Sequence, residues 1–282
     1  MKPRPSPLLR AGLALIALTL AAPAARAADS AAMPIFDAHL HYNWEPVPHF
    51  PLEQVLTLLR ENRITGILAT SRPNDGTRAL VEAKPKDLWV VPFIRPYRVR
   101  PDIQTWMDDP TIQDLIETEY KRGYYVGVGE FHLRGKAAAT KLVKRTVDFA
   151  VERNLYLHAH ADDEALEILF AHNPNAKILW AHTGFSTPAD KVAAYLERYP
   201  SVWCELSYRY GITDGGGKLT PEWRRLFERY PDRFLLGSDT WTDQRWDSYG
   251  STMAEYRGWL TQLPPAVAEK IAFRNAERLF KR

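Results

Sequence analysis

Histidine and acidic side chains recur in this sequence at the ends of short apolar runs. Imidazole nitrogens and carboxylate oxygens suit Zn2+, Mn2+, Ni2+ or Fe2+ as ligands better than they suit Ca2+. A metal ion held by such ligands lowers the pKa of a bound water from 15.7 to about 7. The pattern therefore indicates metal-assisted chemistry at neutral pH. The residues concerned are His39, His41, Glu130, His158, His160, His182 and Asp239.

Each of these residues also has a simpler structural interpretation. A single histidine in a strand is more often a hydrogen-bonded core residue than a ligand, and Asp239 could cap a turn. His39 and His41 are two residues apart, so on a strand both point to the same side and can reach one ion. His158 and His160 share a side in the same way. We prefer His160 as the ligand because it lies closer to the strand end, with His158 as the alternative.

Eight apolar, β-branched runs alternate with longer amphipathic stretches, which is typical of βα units around a parallel sheet. Eight such units in about 255 residues favour a single-domain (β/α)8 barrel over an open sheet. The C-terminal edge of the strands carries the active site in such barrels, and the polar residues above fall at that edge. The predicted strands are Ile35–His41, Ile64–Ser71, Trp89–Pro96, Tyr125–Glu130, Leu155–Ala161, Lys177–Thr183, Val202–Ser207 and Phe234–Thr240.

The helical patterns lie between these strands, and most begin near Pro, Asp, Ser or Thr, as helix N-termini prefer. A final helix, Pro265–Phe280, is expected to pack outside the barrel. The other predicted helices are Leu52–Asn62, Ile112–Arg122, Ala137–Arg153, Asp163–His172, Pro188–Tyr199 and Pro221–Tyr230.

The first 27 residues have the three parts of a secretory signal peptide. Basic residues precede an uncharged apolar run over 11–22, and the small-residue site Ala25-Arg26-Ala27 follows. The apolar run is shorter than the roughly 20 residues of a transmembrane helix, although a retained anchor is the alternative. We therefore expect residues 1–27 to be cleaved and residues 28–282 to form one barrel domain that is periplasmic or secreted.

Cleavage would change the charge of the protein. The segment contains four basic residues and no acidic one, so its removal turns the formal net charge of +3 into −1. No basic excess then remains to indicate nucleic acid or an anionic membrane as a partner. Cys204 is the one cysteine and cannot form an internal disulfide, so we interpret it as a packed core residue. We expect a small-molecule substrate, and homo-oligomer formation stays open.

The motifs resemble those of the amidohydrolase superfamily, in particular its branch often called amidohydrolase 2, and they are also similar to those of TatD-like metal-dependent hydrolases. The resemblance covers nearly the whole chain after residue 27. It runs from Phe36-Asp37-Ala38-His39-Leu40-His41 to Asn275-Ala276-Glu277-Arg278-Leu279-Phe280. The motifs between them are Val128-Gly129-Glu130, Leu157-His158-Ala159-His160, Trp180-Ala181-His182-Thr183-Gly184 and Gly237-Ser238-Asp239.

The resemblance implies a metal-dependent hydrolase. In such an enzyme Asp239 can accept a proton from the attacking water and later deliver it to the leaving group, provided that its carboxylate lies within hydrogen-bond distance of the bound water. His182 would be either a ligand or a residue that stabilises the oxyanion. A glutamate at the position of Glu130 touches metal in TatD-like enzymes, so one or two ions are expected, with zinc foremost. No lysine stands at that strand end, where other branches place a carboxylated lysine. The implied ligands are His39, His41, His160, His182 and Asp239, with Glu130 for a second ion.

Arginines follow several strand ends, and their guanidinium groups bind carboxylate or phosphate in a bidentate manner. These arginines indicate a small anionic substrate, although solvated loop arginines explain them equally well. Aromatic residues just beyond the strand ends could wall an aromatic pocket or pack in an outer shell. They are Trp44, Tyr97, Tyr208, Tyr210 and Trp241. The alternatives are a non-oxidative decarboxylase of the same superfamily and a non-catalytic periplasmic binding protein on the same barrel. The arginines are Arg72, Arg95, Arg98 and Arg209.

Overall fold

The computed structural model describes residues 33–281 of the 282-residue chain, together with Met1. The predicted signal peptide therefore lies outside the described residues, apart from Met1, and stays a prediction. Eight strands follow one another in the sheet in sequence order, each parallel to the next. They are β1 (Ile35–Leu40), β2 (Ile64–Ala69), β3 (Trp89–Ile94), β4 (Gly127–Leu133), β5 (Tyr156–Ala161), β6 (Lys177–Trp180), β7 (Val202–Glu205) and β8 (Phe234–Leu235).

Strand β8 returns to β1 and closes the sheet. The Ala38 N–H donates to the Leu236 carbonyl at 2.7 Å, and the Asp239 N–H donates to the His39 carbonyl at 2.6 Å. The predicted single-domain (β/α)8 barrel is thus confirmed. Buried apolar side chains from five of the strands form one cluster inside the barrel, as alternation of inward and outward residues requires. They are Phe36, Ala38, Leu68, Val91, Phe93, Leu179 and Leu235.

Helices surround the barrel and bury one apolar face each against the strands. In α1, for example, Val55 and Leu59 lie four residues apart and are fully buried. No helix among the described residues is long and apolar enough to span a bilayer. The helices are α1 (Leu52–Glu61), α2 (Asp75–Glu82), α3 (Asp102–Thr105), α4 (Thr111–Tyr120), α5 (Lys141–Glu152), α6 (Asp163–His172), α7 (Ala189–Arg198), α8 (Pro221–Arg229), α9 (Asp243–Asp247), α10 (Tyr249–Leu260), α11 (Pro265–Glu269) and α12 (Asn275–Phe280).

The final helix differs from the prediction in two respects. It is interrupted by a π-helical turn at Lys270–Arg274, so α11 and α12 are separate helices. It also crosses the N-terminal end of the barrel instead of packing on its outer wall. The Phe280 ring lies 5.7 Å from that of Phe36 and 5.4 Å from that of Tyr156, and both partners stand where their strands begin. Apolar contact with the barrel interior therefore determines the position of α12.

The predicted ends of strands β4, β6 and β8 were wrong. Strand β4 ends at Leu133, not Glu130, so Glu130 lies inside the strand. Strand β6 ends at Trp180, not Thr183, and β8 ends at Leu235, not Thr240. His182, Thr183 and Asp239 adopt positive φ angles of 56°, 46° and 49°. This left-handed conformation is unfavourable for residues other than glycine and is often found at functional sites. A pattern of apolar residues carries no information about it, because it depends on how the loop is held.

Gly129 allows strands β4 and β5 to approach each other just before Glu130. Its φ is +126°, and a Cβ atom at this position would lie 2.2 Å from the His158 carbonyl oxygen. We expect Gly129→Ala to lower the free energy of unfolding by about 1–3 kcal/mol, measured by urea denaturation. Gly258→Ala is the control, because Gly258 lies in α10 with open space around it. This variant should be more stable than the wild type by about 0.5–1 kcal/mol. Equal effects of the two changes would contradict this account.

Candidate metal centre

Four of the predicted residues converge at the C-terminal end of the barrel. One ligand atom from each lies within 4.8 Å of those of the other three, and all four residues are buried. The two imidazole Nε2 atoms of His39 and His41 are 3.1 Å apart. Asp239 Oδ1 lies 3.0 Å from His41 Nε2 and 3.5 Å from His39 Nε2. We call this group the primary cluster: His39, His41, Glu130 and Asp239.

Hydrogen bonds behind the primary cluster orient its imidazoles. Nδ1 of His39 is 2.9 Å from Glu205 Oε2, and Nδ1 of His41 is bonded to the Thr70 carbonyl oxygen. Both partners are acceptors, so each Nδ1 carries a hydrogen, and in the neutral ring each Nε2 would present a lone pair to the centre of the cluster. Carboxylates and carbonyls behind metal-binding histidines play this role in many metal sites.

A second group shares Glu130 with the primary cluster. Glu130 Oε1 is 2.9 Å from His160 Nδ1 and 3.4 Å from His182 Nε2, whereas Glu130 Oε2 faces His39 and His41. The ligand atoms of Glu130, His160 and His182 also lie within 4.8 Å of one another. The structure thus brings together all six residues predicted as ligands, in two donor groups joined by one carboxylate.

His158, the alternative to His160, lies behind the primary cluster. It is fully buried, and its ring centroid is 4.4 Å from that of His39. Neither ring nitrogen has a hydrogen-bond partner among the described residues, and burial lowers the pKa of His158 well below its ordinary value. His160 lines the cavity above the cluster, and this position favours it over His158 as a ligand.

The carboxylates in the centre and the imidazole of His39 stabilise each other's charged forms. Burial opposes charge on Glu130, Asp239 and Glu205, but His39 and the other neighbouring cationic groups lower the pKa of all three carboxyl groups. Burial likewise lowers the pKa of His39, yet the carboxylates of Asp239 and Glu130 raise it well above its ordinary value. The centre therefore concentrates negative charge and attracts a cation.

The donor chemistry of the primary cluster fits a divalent transition metal ion. Two imidazoles and two carboxylates are a typical donor set for Zn2+ or a related ion, which would replace the hydrogen on Nε2 of a charged His39. Arg95 limits this site, because its Nη2 donates to Glu130 Oε2 at 2.8 Å and its Nη1 lies 3.1 Å from His41 Nε2. The guanidinium of Arg95 and a metal ion therefore compete for two of the four donors.

A cavity of about 880 Å3 opens above the two donor groups. Asp239, His160 and His182 form part of its floor. Of the predicted aromatic residues, Tyr208 and Trp241 line the cavity, whereas Tyr97 is buried behind it. The lining therefore contains both aromatic rings and charged groups.

The predicted substrate arginines divide into two pairs. Arg72 and Arg95 line the cavity, and Arg72 is paired with Glu45 at its edge. Arg98 and Arg209 do not line it, so their prediction as substrate-binding residues is not supported.

Both non-lining arginines are engaged elsewhere. Arg98 donates to Asp102 at 3.0 Å and to Asp109 at 2.6 Å, which ties the loop after β3 to itself. Arg209 donates to the carbonyls of Phe185, Thr187 and Tyr210, and so holds the loops after β6 and β7 together.

The sequence interpretation missed two residues that shape the site. Glu205 is fully buried in β7, and it accepts hydrogen bonds from His39 Nδ1 and the Ser207 hydroxyl. Its signal was a single acidic residue in the apolar run Val202-Trp203-Cys204-Glu205-Leu206. Arg100 lines the cavity from the loop after β3, and nothing in its local sequence distinguishes it from its neighbour Arg98.

The chain matches a family model described as Amidohydrolase over residues 93–282. It therefore belongs to the amidohydrolase family, as its motifs predicted, and it is an enzyme of the hydrolase class. No curated protein matches the sequence.

Several solved structures share the barrel. A candidate 2-pyrone-4,6-dicarboxylic acid hydrolase from Pseudomonas putida is 15% identical, with a TM-score of 0.58 over 88% of this chain and 97% of that one. A protein from Acinetobacter baumannii named for the same activity, with citric acid bound, is 14% identical, with a TM-score of 0.58 over 88% and 99%. An amidohydrolase from Burkholderia multivorans with zinc bound is 15% identical, with a TM-score of 0.54 over 87% and 98%. At these identities the likeness shows the fold alone.

Glu205 offers a test of the metal centre that does not require a substrate. We expect Glu205→Gln to weaken zinc binding by about 10- to 100-fold, because an amide is a weaker acceptor for the Nδ1 hydrogen of His39. Competition with a chromophoric chelator measures the affinity. Glu255→Gln, on the exposed face of α10, is the control and should bind zinc like the wild type. Unchanged zinc affinity in Glu205→Gln would contradict the proposed orientation of His39.

Proposed function

We propose that this protein is a metal-dependent hydrolase of a small anionic molecule, with Asp239 as general base and general acid. The observation that carries the proposal is the convergence of His39, His41, Glu130 and Asp239 below an open cavity. A bound divalent metal ion would lower the pKa of water and polarise the acyl oxygen under attack. We also propose that the enzyme is exported after cleavage at residue 27, on the sequence pattern described above.

Asp239 has the geometry to move a proton as well as to bind metal. Its Oδ1 faces the Nε2 atoms of His39 and His41, whereas its Oδ2 is 4.0 Å from His182 Nε2. One oxygen can therefore serve as a ligand while the other accepts a proton from the attacking water. Burial opposes the charge of Asp239, but His39 and His41 lower its pKa, and the carboxylate therefore stays ionised.

The role of His182 follows from its hydrogen bonds. Its Nδ1 is 2.9 Å from the Ser207 carbonyl oxygen, which can only accept a hydrogen. Burial opposes charge on His182, but Glu130 and Asp239 raise its pKa above the ordinary value. A bound cation would replace the hydrogen on Nε2 and use the lone pair of this nitrogen. This arrangement supports the ligand role over that of a donor to an oxyanion.

Zinc is the ion we propose, in one or two copies. The donor set of imidazoles and carboxylates suits it, and the related barrel from Burkholderia multivorans contains zinc. The sharing of Glu130 between two donor groups supports a second ion, held by His160 and His182.

The arginines that line the cavity support an anionic substrate. They include Arg72 and Arg100, whose guanidinium groups match a carboxylate. The two barrels at a TM-score of 0.58 are named for a dicarboxylic acid substrate, and one of them holds citric acid. We therefore propose a substrate that carries at least one carboxylate on a small, flat framework.

The direct test is hydrolysis of 2-pyrone-4,6-dicarboxylate and of its neutral dimethyl ester by the zinc-loaded enzyme. We expect ring opening of the dicarboxylate at a higher kcat/KM than that of the diester. Release of carbon dioxide without ring opening would establish the decarboxylase alternative instead. Turnover of neither compound would exclude the proposed substrate class.

Replacement of the proposed base should remove turnover without removing the fold. We expect Asp239→Asn to lower kcat by about 10^2- to 10^4-fold, because an amide cannot accept the proton. Asp247→Asn, exposed at the end of α9, is the matched control and should keep the activity. Metal content should be measured on both variants, and full turnover by Asp239→Asn would exclude the proposed mechanism.

The cavity arginines predict a charge-dependent effect on substrate affinity. Arg72→Gln should raise KM for an anionic substrate about tenfold, because a charge-assisted hydrogen bond is lost. The effect on a neutral ester should be small. Arg98→Gln removes the same charge from outside the cavity, so KM should not change. A rise of similar size in both variants would indicate long-range electrostatics and not a specific contact.

A further inference from the structure

His132, which follows Glu130 by two residues in β4, is fixed by two buried aromatic side chains. Its backbone N–H donates to the Tyr97 hydroxyl at 2.7 Å, and its carbonyl accepts from Trp106 Nε1 at 2.9 Å. Its Nδ1 is 3.1 Å from the same Tyr97 hydroxyl. Tyr97 and Trp106 are both fully buried. The position of the His132 ring is therefore set from the backbone and from the side chain together.

The hydrogen bonds of Tyr97 define which nitrogen of His132 carries a hydrogen. The hydroxyl oxygen accepts the backbone N–H of His132, so its own hydrogen must go to another acceptor. Nδ1 of His132 is the acceptor within hydrogen-bond distance among the described residues. A buried hydroxyl keeps such a partner, because an unpaired donor is costly. The Nδ1 atom thus accepts, and the hydrogen of the imidazole resides on Nε2.

The Nε2–H group of His132 faces the cavity. The side chain lines the cavity beside His160, and the two ring centroids are 4.0 Å apart. Glu130 Oε1 is 4.0 Å from His132 Nε2, which exceeds hydrogen-bond distance, and this oxygen already accepts from His160. Over residues 33–281, no acceptor is within hydrogen-bond distance of this Nε2 group.

We propose that His132 contacts the substrate, through a hydrogen bond from Nε2–H to a substrate oxygen, and that Tyr97 and Trp106 are its positioning residues. The ligand class is a carboxylate or acyl oxygen held next to the metal centre. This inference rests on the proposed hydrolase function and deepens it. His132 would thus donate a hydrogen bond to the reacting group. A neutral His182 is less suited to this role, because its hydrogen is on Nδ1 and is donated to the Ser207 carbonyl.

Nitrogen NMR of the zinc-loaded full chain tests the assignment without any substrate. The chain contains eight histidines, so selective 15N labelling gives few signals, and His132→Phe identifies those of His132. We expect a neutral imidazole with hydrogen on Nε2 in the wild type and a mixture of both tautomers in Tyr97→Phe. Hydrogen on Nδ1 in the wild type, or an unchanged spectrum in Tyr97→Phe, would overturn the proposal.

Binding of isophthalate, a flat dicarboxylate with no hydrolysable bond, tests the contact with a ligand. We expect its Kd to rise about tenfold in His132→Phe and to be partly restored in His132→Gln, which retains an N–H donor. Tyr125→Phe is the control, because the buried Tyr125 hydroxyl donates to Glu119 and does not line the cavity. The Kd of this variant for isophthalate should equal that of the wild type. Wild-type protein that binds isophthalate no better than His132→Phe would contradict the proposal.

Zinc content separates a substrate contact from a metal ligand. His132→Phe should bind as much zinc as the wild type. Loss of zinc from His132→Phe would show that His132 is a metal ligand, and this result would also overturn the proposal. The proposed function fails independently. A wild-type enzyme that hydrolyses nothing, yet shows the expected tautomer and the expected loss of isophthalate binding, would refute hydrolysis and leave the contact of His132 intact.

Discussion

The carboxylate of Glu130 is the group on which the organisation of the site depends. One of its oxygens faces His39, His41 and Arg95, and the other faces His160 and His182. A buried carboxylate is costly unless cations or strong donors surround it, and here they do so on both sides. Loss of this one charge would leave two separate groups of imidazoles with nothing between them. The barrel brings β4 and β5 close enough for this arrangement only because Gly129 has no side chain.

The barrel and the common rim of the polar residues could be predicted from simple periodicities, whereas the set of six candidate ligands came from the resemblance to the amidohydrolase superfamily. Apolar runs locate the strands, and in a parallel barrel every strand ends at the same rim, so a polar residue at a strand end has a known destination. His39 and His41 add the two-residue spacing that places both side chains on one face. The preference for His160 over His158 also followed from strand position alone, and the placement of His160 in the cavity supports it.

What the sequence could not predict lies in the loops. His182 and Asp239 reach the centre from left-handed backbone conformations after strands that end early, and loop contacts determine these conformations. The arginines show the same limit. Arg72 lines the cavity and Arg98 does not, although both follow strands, because Arg98 has acidic partners in its own loop. Glu205 was missed for a different reason. It lies inside the apolar strand β7 and acts by orienting the imidazole of His39.

The contact of Phe280 with Phe36 has a consequence for how the chain folds. The two rings close the N-terminal end of the barrel, yet 243 residues lie between them in the sequence. A contact between such distant positions forms late, because a long stretch of chain loses freedom when its ends meet. A nascent chain that has not yet reached residue 280 cannot complete this apolar closure. Newly made protein would therefore lack this contact at the N-terminal end of the barrel until α12 has been synthesised.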